Sequence, residues 1–191
     1  MLQRTIDSGA NLGRDTVRSC VAMLDGGEEL VMILGDLTQI VRCRLPAGYT
    51  LRPYTDGDDE AWARIQSAAD LYNAITPSLF ASQFGTCRAD LESRHLFAVD
   101  QRGEAVGAVS AWFPEPDIDL DLGRLHWLAV SPDRQRHGLG AALVTAALEL
   151  MRELGYGRAY LTTSAARGDA LRLYERFGFR PSSYDELRAA R

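Results

Sequence analysis

The chain has 191 residues, 46% of them apolar, and a formal net charge of −5. That length and apolar share suit one domain with a sizeable core. The acidic balance argues against a nucleic-acid surface, and no apolar run approaches the roughly 18 residues that a membrane span needs.

Residues 1–47 read as an N-terminal extension packing on or beside a domain spanning 48–191. Thr16–Leu24 has helical spacing, with Val17, Val21 and Leu24 on one face, and Gly26-Gly27 ends it. Leu30–Leu34 has strand length, and Leu37–Cys43 reads as another strand or a helical turn. The segment suits an added hairpin, an element of a homodimer, or a plain packing extension. Tyr49–Pro53 is the first predicted core strand. Thr55-Asp56-Gly57-Asp58 carries N-cap chemistry for a helix over Asp59–Asp70, with Ala61, Trp62, Ile65 and Ala69 as its buried stripe. Pro77 after Thr76 predicts a break, then a short helix from Ser78. Leu96–Asp100 and Glu104–Phe113 flank Gln101-Arg102-Gly103, a hairpin turn, and Gly107 marks a bulge in the second strand. The following loop gathers Glu115, Asp117, Asp119 and Asp121, which either draw a cationic substrate or are simply solvated. Its spacing is not that of an EF-hand.

Leu125–Val130 is a compact apolar run, stopped by Ser131-Pro132-Asp133. Arg134, Gln135, Arg136 and His137 lead to Gly138-Leu139-Gly140. From Leu139 to Leu154 the apolar residues Leu139, Leu143, Ala146, Ala147, Leu150 and Leu154 recur at helical spacing, and Gly155 is a natural C-cap. A strand, a basic glycine-containing turn and a helix make an anion site, because a helix N-terminus presents unpaired N–H groups and partial positive charge. Gly138 and Gly140 lack a Cβ, so a pyrophosphate can approach the backbone. The alternative is a plain connection with solvated arginines. A P-loop is excluded by the missing G-x-x-x-x-G-K-S/T and by the absence of any lysine. A dinucleotide-binding Rossmann unit lacks its G-x-G-x-x-G. Arg158–Thr163 is a predicted strand, and Gly168–Phe177 an amphipathic helix with Ala170, Leu171, Leu173, Tyr174 and Phe177 inward. Gly178-Phe179 opens the last strand, and the alternation of strands and helices predicts a mixed α/β sheet.

Cys20, Cys43 and Cys87 form neither a C-x-x-C pair nor a metal-ligand pattern, so reduced thiols in a cytoplasmic protein are expected. No charged-then-apolar leader opens the sequence, and neither a membrane nor a nucleic acid is expected as partner.

Gln135-Arg136-His137-Gly138-Leu139-Gly140 resembles the acyl-CoA loop Q/R-x-x-G-x-G/A of the GNAT family of N-acyltransferases. Leu128-Ala129-Val130-Ser131-Pro132 resembles the strand end before that loop. Ala170 to Phe179 match the downstream signature A-x-x-x-Y-x-x-x-G-F. The resemblance covers residues 48–185, most strongly 125–180. It implies the α/β GNAT fold, a mixed twisted β-sheet of about six or seven strands flanked by about four helices, here with an N-terminal extension. It further implies an acetyl-CoA-dependent N-acetyltransferase, with acetyl-CoA as acyl-donor substrate and no metal. The acceptor would be a primary amine of a small molecule or peptide, acetylated by direct transfer in a ternary complex. A non-catalytic acyl-CoA-binding sensor or regulatory protein is the alternative, and transfer to another nucleophile or of a longer acyl group a third.

By the same resemblance, Leu128, Ala129 and Val130 would offer backbone groups to the pantetheine arm, with an N–H near Leu128 as oxyanion donor. Gln135, Arg136, His137, Gly138, Leu139, Gly140 and Ala141 would hold the pyrophosphate. Tyr174 matches the family tyrosine beside the CoA sulfur, a general acid, though a core aromatic has the same spacing. Arg167 stands where the family often has an asparagine, so it is expected to touch the 3′-phosphate or pantetheine, or to face solvent. Thr162 stands where some members carry a glutamate base. An alkyl ammonium with a pKa of about 10.4 must lose its proton to attack, and His126, an imidazole, is the expected substitute base. A structural strand histidine, and a water chain to Asp119 or Asp121, are its alternatives. Tyr72, Phe80 and Phe84 would line the acceptor pocket or serve as ordinary core aromatics.

Overall fold

The chain turns where its small and polar residues allow it. Gly103 takes φ +81°, and the Asp100 carboxylate accepts the N–H groups of Arg102 and Glu104, closing the expected hairpin. The computed structural model describes residues 29–70 and 74–188; the expected helix Thr16–Leu24, Cys20 and Tyr72 lie outside them. In chain order the elements are β1 (Glu29–Leu34), β2 (Tyr49–Pro53), α1 (Asp58–Ala69), α2 (Pro77–Phe84), α3 (Arg88–Arg94), β3 (His95–Asp100) and β4 (Ala105–Trp112). Then follow β5 (Leu122–Val130), α4 (Leu139–Glu153), β6 (Arg158–Ser164), α5 (Gly168–Arg176), β7 (Arg180–Ser182) and α6 (Tyr184–Arg188). The sheet runs β2-β3-β4-β5-β6-β1-β7, antiparallel throughout except where β5 meets β6. It is the mixed α/β sheet that the sequence predicts, with two helices, α3 and α6, that the sequence pattern does not reveal.

One face carries α1, α2 and an aromatic cluster of Tyr54, Trp62, Phe80, Phe84 and Phe97. Phe80 and Phe84 are buried in that cluster, so they pack as core. The other face carries α4, whose Leu143, Val144, Ala147, Leu148 and Met151 are fully buried. More of α4 is buried than the expected stripe, because a second layer covers it. Residues 35–48 cross its outer side from β1 to β2, as irregular chain where a strand or helical turn was expected. Leu37 is buried and its N–H donates to Gly157 O at 2.9 Å; the Cys43 N–H donates to Thr145 Oγ1 at 3.0 Å.

Residues 29–34 sit inside the sheet. All six pair with β6, from Glu29 opposite Ser164 to Leu34 opposite Ala159, and Val31–Ile33 also pair with β7. The acidic loop fastens the closed end of the β5–β6 pair. Asp121 accepts the Gly157 N–H at 2.8 Å, and Arg158 reaches Asp121 at 2.9 Å and Asp119 at 3.0 Å. A Cβ on Gly157 would stand 2.7 Å from Asp121 Oδ1, so only glycine permits that approach. Asp119 and Asp121 both take part in this join.

Candidate active site

Strands β5 and β6 pair only from Leu122–Arg124 to Arg158–Tyr160, and beyond Arg124 they part. On its other side β5 carries a bulge. Ala108 faces Ala129 and Ser110 faces His126, so Val109 alone faces both Trp127 and Leu128, and Trp127 takes φ +50°. A tryptophan in the left-handed region is strained, and its surroundings hold it there. The bulge turns two successive side chains to the α1–α2 face. The His126 ring meets Phe84 at 5.6 Å, and Trp127 meets Trp62 at 5.1 Å.

One amide orients both rings. Gln83 Oε1 lies 3.2 Å from Trp127 Nε1 and 3.3 Å from His126 Nε2. The indole nitrogen can only donate, so the Gln83 oxygen must face it. That oxygen can only accept, so His126 carries its proton on Nε2 and keeps its lone pair on Nδ1. Desolvation, then Arg124, then His95, hold the His126 pKa well below the usual imidazole value. Neutral His126 is therefore a weak base. Where the strands begin to part, Arg124 pairs with Glu115 at 3.0 Å and donates to Thr162 Oγ1 at 3.3 Å. A cation and its carboxylate thus span the vertex of the opening, and Thr162 adds no charge.

Past Val130, a short 3₁₀ turn (Pro132–Arg134) leads into the basic loop. The Gln135 amide donates back to Val130 O at 2.9 Å, which shapes the loop. Arg136 and Gly138 take φ +66° and +86°, and α4 starts with no side-chain cap and no acidic residue in its first turn. In contrast α1 opens with Asp58, Asp59 and Glu60. The N–H groups of Leu139, Gly140 and Ala141 therefore keep their donor capacity and their share of the helix dipole. Gln135, Arg136, His137 and Gly138 are exposed, while Leu139 and Ala141 are buried beneath. Arg134 turns to Asp100 and Asp133, and Arg136 to Asp169 at 3.0 Å. The exposed Arg136–Asp169 pair contributes about 0–1 kcal/mol, so a phosphate can redirect that guanidinium at little cost, whereas Arg134 and Asp100 are half-buried. A Cβ at Gly140 would meet only Leu173 Cδ2 at 3.5 Å, ordinary contact, so the protein's own packing does not demand glycine there.

Tyr174 projects from α5 and is buried, its ring against Phe179. Burial pushes its phenol up to about 12, partly offset by the nearby Arg167. At the N-cap of α5, Arg167 pairs with buried Asp70 at 2.9 Å, joining the end of α1 to the start of α5. Leu128 packs against the α4 core and Ala129 on the opposite face, as their alternation on β5 requires. His126, Leu128 and the loop lie on one continuous run of chain, whereas Tyr174 packs on Phe179 from α5 and Arg167 is held by Asp70 at the N-cap of that helix.

Sequence reasoning missed Gln66, Gln83, Arg124 and the pairing of Glu115 with it. Gln66 left a signal, a polar residue one helical turn after Trp62 on an apolar stripe. The other three become neighbours only through the fold.

Residues 62–179 match the family model described as the Acetyltransferase (GNAT) family. The chain is 34% identical over 149 residues to a mycothiol acetyltransferase of Pseudarthrobacter chlorophenolicus, covering 71% of this chain and 43% of that protein. A mycothiol acetyltransferase of Clavibacter sepedonicus is 29% identical over 187 residues, covering 85% and 54%. The chain thus spans about half the length of the curated relatives it matches. Among solved structures, a GCN5-related N-acetyltransferase from Sphaerobacter thermophilus has TM-score 0.68 at 22% identity, covering 87% of this chain and 53% of that one. The ribosomal-protein-S18-alanine N-acetyltransferase of Escherichia coli has TM-score 0.58 at 25% identity, covering 71% and 79%. Parting strands, an uncapped helix after the basic turn and a family model over most of the chain agree: the chain belongs to the acetyltransferase (GNAT) family.

Proposed function

We propose that this chain transfers an acetyl group from acetyl-CoA to a primary amine within a ternary complex. The observation that carries the reading is the parting of β5 and β6 beside an α4 N-terminus with neither cap nor acid. The first-turn amides of α4, with Arg134 and Arg136, suit the diphosphate, and the edge of β5 from Leu128 to Val130, where β6 no longer pairs, suits the pantetheine arm. The donor would supply a thioester carbonyl and a thiol leaving group at the opening. There the Leu128 N–H donates to the carbonyl oxygen as negative charge builds on it.

The pKa shifts support the remaining roles. A phenol near 12 stays protonated at neutral pH. Complete transfer of its proton to a thiolate near 8.5 would run about 3–4 units, or about 5 kcal/mol, uphill. Tyr174 therefore acts as a hydrogen-bond donor to the departing sulfur. His126 cannot store a proton taken from an ammonium, so its Nδ1 lone pair accepts a hydrogen bond from the already neutral amine, whose proton leaves to solvent water. Desolvation lowers the amine's own pKa, while Arg124 and Glu115 beside the opening offset each other's charge. The names of the relatives favour a small-molecule acceptor; the alanine acetyltransferase neighbour keeps a peptide amine in the panel.

Release of free thiol from acetyl-CoA is measured with small amines and peptide amines. Turnover with at least one amine is expected, and Tyr174→Phe lowers kcat by about tenfold, or about 1.4 kcal/mol, with CoA affinity unchanged. CoA binding without turnover across the panel favours a sensor, for which the weak His126 base and the uncharged Thr162 speak. An unchanged kcat removes Tyr174 from the chemistry.

A further inference from the structure

Gln66 is a buried amide on a helix face otherwise made of Trp62, Ala63 and Ile65. Burying an amide in apolar surroundings is unfavourable unless it is bonded. Its Nε2 donates to Trp127 O at 2.7 Å, across 61 residues of sequence. Trp127 is the bulge residue at φ +50°, so the bond lands where β5 departs from its ladder.

The peptide joining Trp127 to Leu128 is trans and planar, so its C=O and N–H point in opposite directions. Fixing the carbonyl toward α1 fixes the Leu128 N–H away from α1. We infer that Gln66 is a positioning residue for catalysis: by holding the Trp127 carbonyl it aims the Leu128 N–H into the gap that β6 leaves. The bond also polarises the amide, since a peptide that accepts at oxygen donates more strongly at nitrogen. A helix on the sheet face opposite α4 thereby sets the strength of the oxyanion donor. This inference rests on the acetyl-transfer reading above.

The test uses [1-13C]acetyl-CoA without any amine, and reads the infrared stretch of its carbonyl on the protein. In the wild type the band moves to lower frequency, and the Leu128 amide proton moves downfield on binding. Gln66→Met has similar length and no donor; it shrinks the band shift and lowers kcat by about tenfold while CoA affinity stays unchanged. If band shift and kcat survive in Gln66→Met, or if kcat and CoA affinity fall together, the inference is overturned. The Leu128 amide of the wild type tests it without any variant: an unmoved proton, with CoA bound, overturns it. A wild-type protein that does not bind acetyl-CoA fails the parent reading instead, and this one with it.

Discussion

His95 begins β3 inside the aromatic cluster, with Phe84 edge-on at 4.3 Å and Ser110 Oγ 2.8 Å from Nδ1. It is 1% exposed, its Nε2 has no partner among the described residues, and burial lowers its pKa to about 3. Between pH 3 and 6.5 the unfolded chain takes up a proton there that the native chain refuses. The stability contributed by neutral His95 is thus complete above about pH 6.5 and lost as pH falls toward 3. His126 is shifted in the same direction and adds to it. Melting temperature should therefore fall steadily below about pH 6.5, each refused proton weakening the fold by about 1.4 kcal/mol per pH unit. Replacing His95 by leucine should flatten that slope. A wild-type melting temperature constant from about pH 7 to about pH 5 would contradict the burial argument.

At the level of elements, β1 decides how residues 29–47 relate to the rest. It lies between β6 and β7, outside residues 62–179 of the family match, and Met32 within it is 2% exposed in the α4 core. Met32→Ala should cost about 2–5 kcal/mol in denaturant unfolding, as truncation of a central core residue does. A cost under about 1 kcal/mol, the range of exposed substitutions, would show β1 to be peripheral. The five apolar residues Leu30–Leu34 reveal a strand by their run, yet nothing local says which slot it fills. The strand–turn–helix from Leu125 to Leu154 was legible because glycine, proline and helical spacing act within a few residues. The bulge at Trp127 was not, since it exists only against Val109 of β4. The bulge expected at Gly107 falls beside it: Ala98 faces Gly107 and Val99 faces Ala105, which leaves Val106 as the extra residue against β3. Gly107 itself sits under the Leu143 side chain, where a Cβ would come within 2.9 Å. The tautomer of His126 needed Gln83 from another helix, and the pairing of Arg167 needed Asp70 from the far end of α1.

For the whole molecule, the sheet and its two helical layers serve one geometry. Asp119, Asp121 and Arg158 lock β5 to β6 at one end, and the strands separate toward the other. The open end lies one short turn from the start of α4, whose first turn carries no acidic residue although the chain as a whole carries −5. An overall acidic protein thus keeps a local site for a polyanion, made of main-chain N–H groups that no side chain caps. Titration of the 15N-labelled protein with CoA, followed by amide shifts, tests this most directly. The account predicts saturable binding in which the Leu139, Gly140 and Ala141 protons move downfield, with affinity that weakens as salt rises. Absence of binding, or binding that leaves those three amides unmoved, would contradict it.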